Sequence, residues 1–174
     1  VRAFRNVPLR IPFKGELLLR GEALMRYSDF ARINAELPET EAKYKNPRNL
    51  CTGTVRQLDP AVTAARGVYF HAFSLVEAEG VDFNNSRAAQ FAWLSDQGFE
   101  VVEYETVTAD TLRDSVLRFE AKIPENDFPS DGLVLLLDDI AYGESLGRTA
   151  KFPRNAIAFK WQDEQAETVL REIE

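Results

Sequence analysis

The sequence predicts an α+β fold built mainly from antiparallel sheet. Three observations lead there: two-residue apolar alternation in some short segments, helical spacing in others, and an order in which strand and helix do not strictly alternate. Of the 174 residues, 45% are hydrophobic and 28% charged, a balance that suits one packed domain and excludes a disordered tail.

Residues 16–25, ELLLRGEALM, set Leu17, Leu19, Ala23 and Met25 on one face and Leu18, Arg20, Glu22 and Leu24 on the other, so a strand is expected. Ser28 then caps a helix bearing Phe30, Ile33 and Leu37. Residues 44–60 are polar and show no clean period. GVYFHAFSLV, 67–76, reads as an aromatic-rich strand. Ser86 opens a helix through Phe91 and Leu94, closed by Gly98. FEVVEYETV, 99–107, is expected as a strand, and Thr108 caps a helix carrying Leu112, Val116, Phe119 and Ile123. DGLVLLLDD, 131–139, is expected as a buried strand and AIAFKW, 156–161, as a second one. A loop with Gly143 and Gly147 joins them, and QAETVLREIE, 165–174, reads as a further strand.

A single cysteine, Cys51, excludes an internal disulfide framework and a cysteine-rich zinc site, and makes a reducing cytoplasmic setting the expectation. No apolar run approaches the roughly 20 residues that span a bilayer, so no membrane partner is expected. The chain opens at Val1 without a signal-peptide pattern, and an upstream segment is expected to be missing. The net charge of −7 argues against a surface wholly devoted to nucleic acid. Cations nonetheless cluster at Arg2, Arg5, Arg10 and Lys14, at Lys43, Lys45, Arg48 and Arg56, and at Lys151, Arg154 and Lys160, so a locally basic face is compatible with the acidic total.

Polar residues on the expected strands carry the chemistry. Glu22 shares a strand face with Arg20, and a solvated ion pair between them is the simplest reading of that spacing. Asp131-Gly132 has the composition of a turn. Lys160 shares a face with Ala156 and Ala158, which leaves room for a flat group with an ammonium at its edge, suited to an anionic phosphate. A surface lysine on a half-buried strand gives the same pattern.

Taken together and in order, RGEALM (20–25), YFHAFSL (69–75), DGLVLLLD (131–138) and AIAFKW (156–161) resemble successive motifs of the nucleotidyltransferases that include DNA ligases and capping enzymes. NPRNLCTGTVRQLDP (46–60) and SLGRTAKFPRN (145–155) narrow the resemblance to bacterial NAD⁺-dependent DNA ligases. The resemblance implies the nucleotidyltransferase (ATP-grasp-like ligase adenylation) fold, truncated at its N-terminus. Residues 1–164 would be a partial adenylation domain, and 165–174 the start of the connection to an OB-fold domain.

It also implies the reaction. A lysine attacks the adenylyl phosphorus of NAD⁺ and expels nicotinamide mononucleotide. AMP then passes from the lysine to the 5′-phosphate of nicked double-stranded DNA, and the adjoining 3′-hydroxyl displaces it, as DNA replication and repair require. Positioning and charge neutralisation dominate such chemistry. By resemblance Glu22, Phe73, Val134 and Lys160 bind the adenylate: Glu22 at the ribose, Phe73 and Val134 on either side of adenine, and Lys160 at the phosphate. Asp131 would help to hold Mg²⁺, a cation that prefers oxygen ligands. Arg48, Arg56, Lys151 and Arg154 would contact DNA. His71 and Cys51 are expected in the core.

The chain departs from the pattern twice. The Lys-x-Asp-Gly motif that bears the nucleophile is absent, since Pro129 precedes Asp131-Gly132 where the lysine would stand. These 174 residues are therefore expected not to self-adenylate. Leu136 stands where the family has a lysine, and Lys151 is the cation expected to compensate. A non-catalytic nucleotide- or DNA-binding module is the rival reading. An upstream reading frame encoding Lys-x-Asp-Gly discriminates the two.

Overall fold

The first strand, β1 (Leu17–Met25), pairs antiparallel with β2 (Val68–Ala78), and between them the chain forms the helices α1 (Tyr27–Glu36), α2 (Pro47–Val55) and α3 (Pro60–Arg66). After β2 come α4 (Arg87–Asp96), α5 (Leu112–Lys122) and a 3₁₀ turn over Ile123–Glu125. Strand β3 (Gly132–Leu136), helix α6 (Ile140–Ser145) and strand β4 (Ala156–Lys160) follow, with β3 and β4 paired antiparallel as a second two-stranded sheet. This computed structural model describes residues 1–161, 169 and 172. The mixed composition with small antiparallel sheets agrees with the expected α+β class. The strand expected over 165–174 lies outside the described residues, save for 169 and 172.

One face of β1–β2 carries the buried core. Met25, Ile33, Leu50, Cys51 and Val68 form one buried cluster with Phe4, Ala23, Phe30 and Tyr44 packed on it. Ala72, Leu75 and Leu94 form another under Leu17, Leu19, Phe70, Trp93 and Val101. A two-stranded ribbon is at best marginally stable alone, and burial against these helices supplies what it lacks. Gly21 is required on the covered face, because a Cβ there would stand 2.3 Å from the Phe70 ring and 2.5 Å from the His71 carbonyl oxygen. The opposite face leaves Leu18, Phe73 and Val76 about half exposed.

Several sequence expectations are corrected. The polar stretch 44–60 contains α2 and the start of α3. Asn46 and Asp59 each accept backbone N–H bonds at a helix start, and a proline follows each cap as the first helical residue. Ser28 is not a cap, since α1 begins at Tyr27. Instead Asp127, from a distant loop, accepts the Ser28 N–H at 2.9 Å and its hydroxyl at 2.6 Å. Helix α5 begins at Leu112, directly after the turn that Thr108 makes with Thr111, so Thr108 is not its cap. The loop between β3 and β4 contains α6, capped by Asp139, which accepts the Tyr142 N–H at 2.8 Å.

Residues 99–107 do not form a strand: Val101 alone bridges to Ala72, in parallel. Next along the same edge of β2, the Asn6 amide accepts the Phe70 N–H at 2.7 Å and donates to its carbonyl at 2.8 Å. Beyond Val101, Glu105 bonds Ser115 and Arg118, and Glu103 bonds Lys122, so the segment follows α5 rather than the sheet. Nor is 131–139 buried. With β4 as its sheet partner, β3 leaves Val134 67% exposed, and Ile157 on β4 is 69% exposed.

Candidate functional site

The residues singled out by sequence fall into two groups. In the first, Glu22 on β1 lies opposite His71 on β2, and its carboxylate meets Arg48, in the first turn of α2, at 3.4 Å. Asn46 and Pro47 set that turn, and through it the position of Arg48. The Glu22–Arg20 pairing that spacing alone allowed is replaced by this contact with Arg48. Phe73 sits where the β1–β2 register shifts between Arg20 and Gly21, and like Glu22 it is exposed, on the face away from the core. Arg56 caps the end of α2, also exposed.

The second group lies on β3–β4. Gly132 pairs with Lys160, Val134 with Ala158 and Leu136 with Ala156. Asp131, at the mouth of β3, accepts from the Lys160 ammonium at 3.2 Å, with both side chains about 70% exposed. The resemblance gave these two residues separate roles, yet they contact each other directly. Arg154 and Lys151 belong to the loop before β4, where the Arg154 N–H donates to the Gly147 carbonyl at 3.0 Å. A shallow cavity of about 220 Å³ is lined by Leu135, Leu136, Leu137, Arg154, Asn155, Ala156 and Ile157. Glu22, Phe73, Val134 and Lys160 do not line it, and it falls below the roughly 300 Å³ at which small-molecule pockets begin.

Sequence reasoning missed the contacts that tie β3 to the rest of the fold. At its leading end, Phe128 packs edge-on against Tyr69 (5.6 Å between centroids) and His71 (4.7 Å), while the Arg26 guanidinium lies 4.2 Å over the Tyr69 ring and 5.3 Å from that of Phe128. The Ser28 hydroxyl holds the neighbouring Asp127 carboxyl below the usual carboxylate range. At the trailing end, Asp138 accepts the Ala88 N–H at 2.8 Å and the Ser86 hydroxyl at 3.1 Å, and the Asn85 amide donates to Asp139 at 2.7 Å. The Tyr142 N–H and Asn85 together hold the Asp139 carboxyl low. Asn84 and Asn85 both adopt positive φ, a conformation asparagine tolerates better than most residues. A polar run of asparagines and a serine facing paired aspartates was the available signal.

Burial pushes the Cys51 thiol up to about 11, and the nearby Glu22 carboxylate adds to the shift, so Cys51 is an inert core residue. His71 is partly buried, and desolvation lowers its pKa. Its Nε2 lies 3.4 Å from Glu100 but without hydrogen-bond alignment, so it is less fully satisfied than expected. Among the described residues no group of three or more His, Cys, Asp and Glu side chains is placed to cage a metal ion. No described helix is long and apolar enough to cross a membrane.

The NAD-dependent DNA ligase adenylation domain family matches residues 1–164. The chain is 58% identical over 173 residues to the DNA ligases of Ruminiclostridium cellulolyticum and of Lachnoclostridium phytofermentans, and 35% identical over 176 residues to that of Brachyspira hyodysenteriae. At least 99% of this chain aligns in each case, against 26% of the relative, so it spans about a quarter of their length. With the match extending from the first residue through both sheets, the chain belongs to the family of NAD-dependent DNA ligase adenylation domains.

Proposed function

We propose that this chain supplies the adenylate- and DNA-holding part of a bacterial NAD⁺-dependent ligase that seals nicks through enzyme–AMP and DNA–adenylate intermediates. It would take the nucleotidyltransferase fold over 1–164 and connect to an OB-fold from 165 onward, and it would serve replication and repair in the cytoplasm. The observation that carries the reading is two exposed charged contacts, Glu22 of β1 with Arg48 of α2, and Asp131 at the mouth of β3 with Lys160 of β4. Exposed ion pairs contribute only about 0–1 kcal/mol to stability, so strand-borne groups of this kind are better accounted for by a ligand than by the fold.

In this reading Phe73, open on the same face as Glu22, stacks on adenine, and Val134 covers the other side of the base. Glu22 accepts hydrogen bonds from the ribose hydroxyls. Lys160 leaves Asp131 for the adenylyl phosphate, an exchange of one anionic partner for another at small cost. Asp131 is then free to hold Mg²⁺ together with nucleotide phosphates. A lone carboxylate fits that arrangement, because magnesium is commonly bound by one or two carboxylates plus substrate oxygens. The ion would neutralise charge developing on the phosphoryl group. Arg48, Arg56, Lys151 and Arg154 would grip the backbone of nicked DNA. The 174 residues lack Lys-x-Asp-Gly and would hold AMP without becoming covalently adenylated.

Leu136, in the place of the family's usual lysine, favours a second reading as a non-catalytic nucleotide- or DNA-binding module. Intact-mass measurement of the protein containing this chain, after incubation with NAD⁺ and Mg²⁺, decides between the two. A gain of one AMP supports the ligase. An unchanged mass with retained AMP binding supports the second reading, and loss of both defeats the site.

A further inference from the structure

Between β3 and β4 the chain makes a small closed turn, 148–153, in which Lys151 alone has so far been given a role. Thr149 organises it: its N–H donates to the Phe152 carbonyl at 2.8 Å, and its hydroxyl oxygen accepts the Phe152 N–H at 2.9 Å. Arg148 and Pro153 form an antiparallel bridge at its base, and Gly147, at φ +68°, lets the chain enter. The backbone is therefore fixed by local bonds. Yet Phe152 stands 69% exposed at the tip. A single exposed apolar residue is ordinary on a protein surface. What sets this one apart is its company.

From Ser145 to Trp161 the sequence has Arg148, Lys151, Arg154 and Lys160 and no carboxylate, in a chain whose net charge is −7. Among the described residues Lys160 has an ion-pair partner, while Arg148, Lys151 and Arg154 have none. An aromatic ring held outward by a rigid turn and flanked by unpaired cations matches a polyanion that also offers flat apolar surface. Nucleic acid has both, with phosphates for the cations and sugar or base faces for the ring. A membrane surface would call for a wider apolar face than one ring.

We propose that the turn 148–153 is an aromatic-tipped contact for duplex DNA, with Phe152 laid against a sugar or base near the nick and Arg148, Lys151 and Arg154 on neighbouring phosphates. This rests on the ligase reading and adds Phe152 and Arg148 to it. Because the turn is preorganised, little ordering entropy is spent on binding.

The test is anisotropy of a labelled nicked duplex titrated with the intact protein over a salt series, with unfolding midpoint and NAD⁺-dependent AMP gain measured on the same preparations. Phe152→Ala is expected to weaken binding about tenfold at unchanged midpoint, as removal of one stacking ring does, and Phe152→Tyr to restore it. Lys151→Ala is expected to flatten the slope of log affinity against log salt by about one, whereas Phe152→Ala leaves that slope alone. Binding by Phe152→Ala within about twofold of the parent overturns the proposal. So does a weakened Phe152→Ala whose midpoint has collapsed, because the ring would then be packing against protein. If the parent gains AMP and Phe152→Ala binds DNA normally, this inference fails alone. If the parent neither gains AMP nor binds the nick, both readings fall.

Discussion

Replacing glycine by alanine at two positions should move stability in opposite directions. At Gly132 a Cβ would stand 2.2 Å from the Phe159 carbonyl oxygen and 2.9 Å from the Lys160 Cα, both backbone atoms of the paired strand. The first distance is more than 1 Å short of the 3.4 Å at which ordinary contact begins, and no rotamer change relieves it. The β3–β4 ladder must open at the point where Gly132 faces Lys160. Overpacking of this kind costs about 1–3 kcal/mol. At about 2–4 °C per kcal/mol for a chain of this size, the midpoint of Gly132→Ala should fall by about 2–12 °C. Gly53 lies inside α2, and a Cβ there meets nothing within 4 Å. Alanine is favoured over glycine in a helix by about 0.5–1 kcal/mol, so Gly53→Ala should raise the midpoint by about 1–4 °C. Thermal unfolding followed by far-ultraviolet circular dichroism reads both. Shifts of the same sign, or an unperturbed Gly132→Ala, would refute the neighbour-based reasoning.

Phe128→Ala removes two edge-on ring contacts and one cation–π contact, which at about 0.5–1.5 kcal/mol each sum to a loss of about 1.5–4.5 kcal/mol in urea unfolding. A loss under about 0.5 kcal/mol contradicts the docking of β3 through this ring. Cys51 gives an alkaline signature: its folded pKa is raised, so the unfolded chain gives up the thiol proton near 9 while the fold keeps it to about 11. Stability is intact below that window and falls through it as pH rises, by on the order of 2 kcal/mol, and Cys51→Ser should flatten the fall. Chemical denaturation at several alkaline pH values checks this, and equal slopes for the two proteins exclude it. Glu22→Gln and Lys160→Met each break an exposed ion pair, so the unfolding midpoint should move by no more than about 4 °C while AMP affinity drops at least about tenfold. Calorimetric titration with AMP reads the second effect, and unchanged affinity removes these residues from the site.

The elements with a strong internal period were legible from sequence. Alternation over 16–25 marked β1 closely, and Ser86 with Gly98 bracketed α4, where the serine accepts the Ala89 N–H. What failed had a competing partner elsewhere in the chain. FEVVEYETV has strand propensity, but the Asn6 amide occupies the adjoining edge of β2 and the basic residues of α5 hold Glu103 and Glu105. Ser28 has cap chemistry that a remote carboxylate, Asp127, satisfies instead. The two helices in 44–60 were available in principle, since Asn-Pro and Asp-Pro are a cap followed by a first helical residue.

The candidate site was proposed in a different way, through the ordered motifs that carry the family resemblance rather than through burial or period. Glu22, Phe73, Val134 and Lys160 all stand outside the core, so no hydrophobic pattern fixes where they point. Among the described residues each sheet has two strands, too few to be stable alone, and each contributes to one of the charged pairs. The geometry between the pairs therefore depends on the two places where β3 is tied down, Arg26–Ser28 with Asp127–Phe128 and Asn85–Ala88 with Asp138–Asp139. The side chains in those ties are short polar groups, three rings (Tyr69, His71 and Phe128) and a guanidinium, assigned to no substrate. Their spacing along the sequence, 99 residues for Ser28 and Asp127 and 54 for Asn85 and Asp139, is beyond the reach of local pattern reading. In the ligase reading, a pocket that must close on adenosine from two independent ribbons needs such ties, because an error of about 1 Å between its halves costs far more in transition-state positioning than in stability.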